Sequence, residues 1–215
     1  MKNKGWMIVV ILLLPSLIWV LLDVSLIHSR KLPYFGPKKL ASDGKDTIYY
    51  SVPYSTFFNN RLEPIIIDTS TYKVCVMVFI KPEYVKEQFR IAPFLSMVHY
   101  EPDKIKHIPI FLVYPFQAAD KIFHLKDSLR LTLSNIQDVY LPDSIFHKIR
   151  MQYFIQKPYY VYDSFAVLLD KKRNIRGYYD WRYADELKRT IQEFNHLLIK
   201  EGYKETLQKN KIEQR

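Results

Sequence analysis

The chain has 215 residues, of which 48% are hydrophobic and 15% aromatic, which excludes a disordered polar chain and supplies material for a sizeable core. Lys and Arg number 32 against 22 Asp and Glu, a formal net charge of +10. These basic residues are dispersed and no recognised binding motif frames them, so nucleic acid is not expected as a partner; a basic domain beside anionic lipid, or mere solubility, accounts for the charge.

Lys2 and Lys4 precede an uncharged run from Trp6 to Leu22 rich in Ile, Leu and Val. The run sits at the short end of the ~17–25 residues that cross a bilayer. Pro15 interrupts it, which lipid-embedded helices tolerate, and Asp23 ends it. A cleaved signal peptide is the alternative, but its apolar region is typically ~7–15 residues and small residues follow at the cleavage site. No Ala-x-Ala-like site lies between Asp23 and Arg30. Residues 1–28 are therefore expected to form an N-terminal transmembrane anchor. The flanking charges favour a cytoplasmic N-terminus only weakly. Residues 29–45, with Pro33, Gly36, Pro37 and Gly44 as turn formers, are expected to be a linker.

Thr47–Tyr50 and Thr56–Asn59 have the look of short extended pieces on either side of Pro53. Lys73–Ile80 is continuous, β-branched and apolar, the pattern of a strand buried on both faces. Cys75, the only cysteine, lies within it. One thiol makes no internal disulfide and no two-cysteine metal site, and its setting suits a small core hydrophobe. Pro82 suits the first turn of a helix whose apolar face includes Val85, Phe89, Ile91, Phe94 and Leu95. Ile108–Tyr114 predicts a second buried strand. Ala118–Leu133 is mixed and favours helix, Ile136–Tyr140 a short strand and Pro142–Met151 another helix. Phe165–Leu169, a turn over Lys171–Asn174, and Ile175–Tyr179 predict a hairpin. From about Asp180 an amphipathic helix follows, with Ala184, Leu187, Ile191, Phe194, Leu197 and Leu198 near a 3.6-residue period. Asp180 is expected to cap it and Asp185 to sit near its positive end, with the basic tail beyond Lys204 frayed. The Tyr159-Tyr160 and Tyr178-Tyr179 doublets are expected as strand-face packing.

Two parallel strands with a crossover, then an antiparallel hairpin and a covering helix, is the layout of a thioredoxin-like α/β domain, a mixed sheet flanked by helices. Other α/β layouts share this order. The domain is placed over residues 46–206, with a basic tail at 207–215.

Three stretches carry a resemblance. They are Leu32-Pro-Tyr-Phe-Gly-Pro37, the run Asp46-Thr-Ile-Tyr-Tyr-Ser-Val-Pro53 continuing to Phe57-Phe-Asn-Asn60, and Phe165 to Asp180 with Leu168-Leu-Asp170 and Arg176-Gly-Tyr-Tyr-Asp180. Together they resemble the Sco/SenC family, membrane-anchored thioredoxin-like proteins that assist copper-site assembly in cytochrome oxidase. The resemblance implies the same fold and a soluble domain outside the cytoplasmic membrane. Its chemistry does not carry over. The family places two cysteines just after the first core strand, and alignment on Pro82 puts Lys81 and Val85 there. The family histidine, eight residues before Asp170, falls on Tyr162. Its active-site region therefore corresponds to Lys81, Pro82, Glu83, Tyr84, Val85 and Tyr162, expected here as a partner-binding surface without catalytic or metal-ligating residues.

Other chemistries find little support in the residues. His28, His99, His107, His124, His147 and His196 are scattered, with no pair at helical spacing and no HExxH or calcium loop. Five glycines leave no phosphate-cradling loop, and Ser164 lacks a nucleophile-elbow frame. No cofactor and no small-molecule substrate are expected. The expected partners are the membrane, through the N-terminal helix, and a protein. A copper-delivery or thiol-redox role using Cys75 with distant histidines is the competing expectation, and it requires Cys75 to be exposed.

Overall fold

The computed structural model describes residues 13–19, 31–42, 44, 46–51, 57–59, 61–67, 72–80, 91–116, 129–154 and 165–213. The chain divides into two compact units, Met1–Leu32 and Pro33–Arg215. In the first, residues 13–19 are helical, with Leu13, Leu14, Leu17, Ile18 and Trp19 exposed. The rest of the expected anchor lies outside the described residues, among which no helix is long and apolar enough to cross a membrane.

The second unit holds β1 (Lys38–Leu40), β2 (Thr47–Tyr49), β3 (Phe57–Phe58), β4 (Pro64–Ile65), β5 (Cys75–Phe79), α1 (Ala92–Tyr100), a 3-10 turn (Pro102–Lys104), β6 (Ile110–Pro115), β7 (Ile136–Leu141), α2 (Asp143–Phe154), β8 (Phe165–Leu169), β9 (Ile175–Tyr179) and α3 (Ala184–Glu213). β1 and β2 form a separate hairpin, and the other strands form one sheet in the order β4-β3-β7-β6-β5-β8-β9. β5, β6 and β7 run parallel, whereas β8 pairs antiparallel with β5 and β9 antiparallel with β8. A parallel β5–α1–β6 crossover, completed by the antiparallel β8–β9 hairpin and α3, is the thioredoxin-like arrangement expected from the residue pattern.

The central strands are apolar because they are covered on both sides. Cys75, Met77 and Phe79 of β5 join Phe111, Val113, Val139, Leu141, Val167 and Leu169 in a core completed by Phe146 and Ile149 of α2. The alternate residues face the other way, where Val78, Ile80 and Leu112 meet Phe94 of α1 and Trp181 around a small apolar void. Leu129 and Leu131 also line that void. Residues 129–133 are turn and irregular chain rather than helix, a correction to the helix favoured through Leu133; the stretch from 117 to 128 lies outside the described residues. The start of α1 is described only from Ile91, so the expected beginning at Pro82 also lies outside them.

The last helix differs from expectation at both ends. It begins at Ala184, with Asp185 and Glu186 in its first turn, and continues to Glu213. Asp180 is not its cap. Trp181 stacks on Phe94 with ring centroids 4.8 Å apart, and its Nε1 donates to Thr190 Oγ1 at 3.0 Å. Burying that indole holds residues 181–183 in a turn, and the fully buried Asp180 carboxylate accepts from Arg182 Nε at 2.8 and 3.0 Å instead. Past Lys204 the helix persists on Glu, Leu, Gln and Lys, all good helix formers with no proline or glycine among them.

Tyr178 and Tyr179 are both buried, as expected of strand-face packing. The ring of Tyr179 lies over Gly177, where an added Cβ would stand 2.6 Å from its Cζ. Its hydroxyl donates to Glu193 Oε2 on α3 at 2.6 Å. Gly177→Ala is therefore expected to displace the ring and break that bond, costing about 1–3 kcal/mol as overpacking does. Urea unfolding of the variant measures the loss.

Candidate functional site

Residues 81–85 and 162, the expected partner-binding surface, lie outside the described residues. What is described is the sheet end from which the chain enters and leaves them. Phe79, two residues before Lys81, pairs in register with Phe165, three residues after Tyr162. Aromatic side chains gather around this end: Phe79 packs at 6.0 Å from Phe146, and Phe58 meets Phe116 edge-on at 5.2 Å. In open α/β sheets the carboxyl ends of parallel strands are the usual ligand position.

Cys75 is at the other end of β5, four residues or about 13 Å back along the strand. It is 4% exposed, within the core cluster under α2. Burial pushes its thiol up to about 12, with the Arg173 cation lowering and the Asp170 carboxylate raising it to smaller extents. A nucleophilic or metal-binding sulfur must be a thiolate, so this position is unsuited to either task. The residues that the resemblance aligns with the Sco/SenC cysteines do not form a donor set for copper. Lys81 is a hard, cationic amine donor, Val85 has no donor atom, and copper(I) selects soft thiolate and thioether ligands. Among the described residues no group of three or more His, Cys, Asp or Glu is placed to hold a metal ion. His99, His107 and His147 lie on the surface; His28 and His124 are outside the described residues.

Close to Cys75 the structure gathers a charged cluster that the residue pattern concealed. The β8–β9 connection reads as a turn over Lys171–Asn174, and Asp170, Arg173, Asn174 and Arg176 in and around it are all buried. Asp170 Oδ1 accepts from the backbone N–H of Lys172 and of Asn174, each at 2.9 Å, and its Oδ2 accepts from Arg176 Nη1 at 3.2 Å. Arg173 takes a left-handed backbone (φ 59°) that closes the turn and lets its guanidinium donate to the Ile67 carbonyl. Arg176 Nε donates to the Pro33 carbonyl at 3.2 Å, and its guanidinium lies 3.9 Å from the centre of the Tyr34 ring. Phe35 and Ile175 form a further bridge, with Phe35 N donating to Ile175 O at 2.9 Å. Part of the segment expected as linker thus packs on the hairpin. The cluster is a clamp, with the charges of Asp170, Arg173 and Arg176 turned inward.

A second concavity, an open groove of about 530 Å³, runs between α1 and α3. Met97, Leu187 and Ile191 line it, and His107 Nε2 lies 2.9 Å from Asn195 Oδ1 at its edge. Helical periodicity marks Leu187 and Ile191 as core and gives no hint that the two helices leave a channel between them.

No protein-family model matches the chain, and no curated protein matches it. Solved structures do. A thiol:disulfide interchange protein from Bacteroides sp. shares 14% identity over 68% of this chain and 88% of its own, at a TM-score of 0.48. The thioredoxin domain of a thiol-disulfide oxidoreductase from Bacteroides vulgatus shares 17% over 67% and 95%, at 0.46. BsSco, a member of the Sco family of cytochrome c oxidase assembly proteins, shares 14% over 69% and 95%, at 0.48. The strand order and register define the thioredoxin-like fold independently of these likenesses.

Proposed function

We propose that the chain is a membrane-anchored, Sco-like binding or assembly factor that works without copper or thiol-redox chemistry, at the outer face of the cytoplasmic membrane. The observation that carries this is the fate of the thiols. Lys81 and Val85 stand where the family has its cysteines, and the one thiol of the chain, Cys75, is buried in a strand and pushed up to about 12. Membrane attachment is supported by the uncharged run from Trp6 to Leu22 and by the exposure of its described apolar residues. We take Lys81, Pro82, Glu83, Tyr84, Val85 and Tyr162, which align with the family's reactive residues, as the surface for a protein partner. A copper-delivery or thiol-redox protein using Cys75 is the competing reading, and it requires that sulfur to leave the core. Copper(I) titration of the full chain separates the two.

A further inference from the structure

The β1–β2 hairpin stands outside the main sheet. Lys38 pairs with Tyr49, Lys39 with Ile48 and Leu40 with Thr47. Side chains alternate across a hairpin, so Lys38 and Leu40 share one face while Lys39 and Ile48 share the other. Both faces are open: Leu40 is 75% exposed and Ile48 58%. An isolated two-stranded hairpin is marginal in water, yet this one is held at its root. Tyr49 stacks on Tyr34 at 4.3 Å, and Tyr34 in turn lies under the buried Arg176 guanidinium at 3.9 Å. The domain therefore presents a fixed blade carrying one aliphatic side chain and one lysine on each side.

A protein partner with a flat surface would cover one face of such a blade. A lipid interface closes around both, taking the aliphatic groups among the headgroups while lysine stems reach out to phosphates. Charge agrees with this occupant: Lys38, Lys39 and Lys45 outnumber Asp43 and Asp46 over the hairpin, within a chain of net charge +10. We propose that the β1–β2 hairpin docks on an anionic lipid surface, with Leu40 and Ile48 entering the headgroup layer and Lys38 and Lys39 contacting lipid phosphates. This extends the reading of the chain as a membrane-bound factor and rests on it.

The test uses the full chain with Leu40→Cys or Ile48→Cys, labelled natively with an environment-sensitive fluorophore. Unsubstituted chain is the control, since Cys75 is buried. The variants are reconstituted with phosphatidylcholine vesicles, with and without phosphatidylglycerol, and followed by flotation and by emission. Blue-shifted emission at both positions, quenched by spin-labelled lipid and dependent on phosphatidylglycerol, is the expected result. Lys38→Gln with Lys39→Gln should weaken the docked population about 25-fold, taking about fivefold per lysine. A shift at one position only, or one indifferent to anionic lipid, overturns the docking. Chain that floats with both vesicle types while both probes stay in water also overturns it, and leaves the anchor standing. Chain that floats only with anionic vesicles, with both probes shifted, upholds the hairpin and removes the anchor; chain that floats with neither removes both.

Discussion

Asp170→Ala is expected to lower the folding free energy by about 3–5 kcal/mol, the usual cost of stripping one partner from a buried ion pair. Asp170 and Arg176 are each about 5% exposed, so water does not replace the lost contact. The substitution leaves the Arg176 guanidinium buried beside Tyr34 without its carboxylate. It also removes the acceptor for the N–H groups of Lys172 and Asn174, which hold the β8–β9 turn. Against a typical domain stability of about 5–15 kcal/mol the loss is severe. Asp170→Asn keeps an acceptor oxygen for the turn but not the charge, and should fall between the two. Arg176→Met combined with Asp170→Ala should cost less than the sum of the single changes, because neither charge is then stranded. Urea unfolding followed by circular dichroism measures the unsubstituted chain, Asp170→Ala, Asp170→Asn, Arg176→Met and the double variant. A loss below about 1 kcal/mol for Asp170→Ala would place the pair with solvent-exposed salt bridges and contradict the clamp.

The second large effect concerns Cys75. With its thiol pushed up to about 12, ionisation at pH 8 is roughly one part in ten thousand, against about one in four to one in ten for an ordinary cysteine. Maleimide labelling of the folded chain should therefore be slower than that of the urea-unfolded chain by about a thousandfold or more, since reaction waits on opening of the core. The same burial gives stability a pH dependence. The unfolded thiol releases its proton near pH 8.5–9 while the folded one keeps it, so the unfolded state binds fewer protons as pH rises through that window. Stability then falls by up to roughly 1.4 kcal/mol per pH unit between about 9 and 12. Cys75→Ala should flatten that slope between pH 9 and 10. Rapid, stoichiometric labelling under native conditions would instead put the sulfur within reach of a substrate or metal.

The fold was largely legible because its central strands are mostly apolar runs with few alternatives: Cys75–Phe79 falls inside its expected segment, and Ile110–Pro115 and Ile136–Leu141 each run only one residue past theirs. The β8–β9 hairpin was legible for the same reason, with its turn marked by Lys171, Lys172, Arg173 and Asn174. The burial of that turn was not. Charged residues between strands normally face water, and the chain that covers this turn, Pro33 to Phe35, lies about 140 residues away and is rich in the turn formers of a linker. The beginning of the last helix was misplaced because Asp180 has the chemistry of a cap, while the tie from Trp181 to Phe94 is a tertiary contact that no local pattern reveals. At the candidate site the residue identities carry the inference. Lysine and valine at the positions that the resemblance aligns with two cysteines speak to chemistry, whereas the shape of a partner surface depends on side-chain placement.

The most direct measurement is copper(I) titration of the full chain in detergent against a competing chelator, with Cys75→Ala in parallel. A Sco-like scaffold without thiol chemistry leaves the chelator's copper untouched, and the two chains behave alike. Uptake of one equivalent by the unsubstituted chain, lost in Cys75→Ala, would contradict the account and make that sulfur a copper ligand.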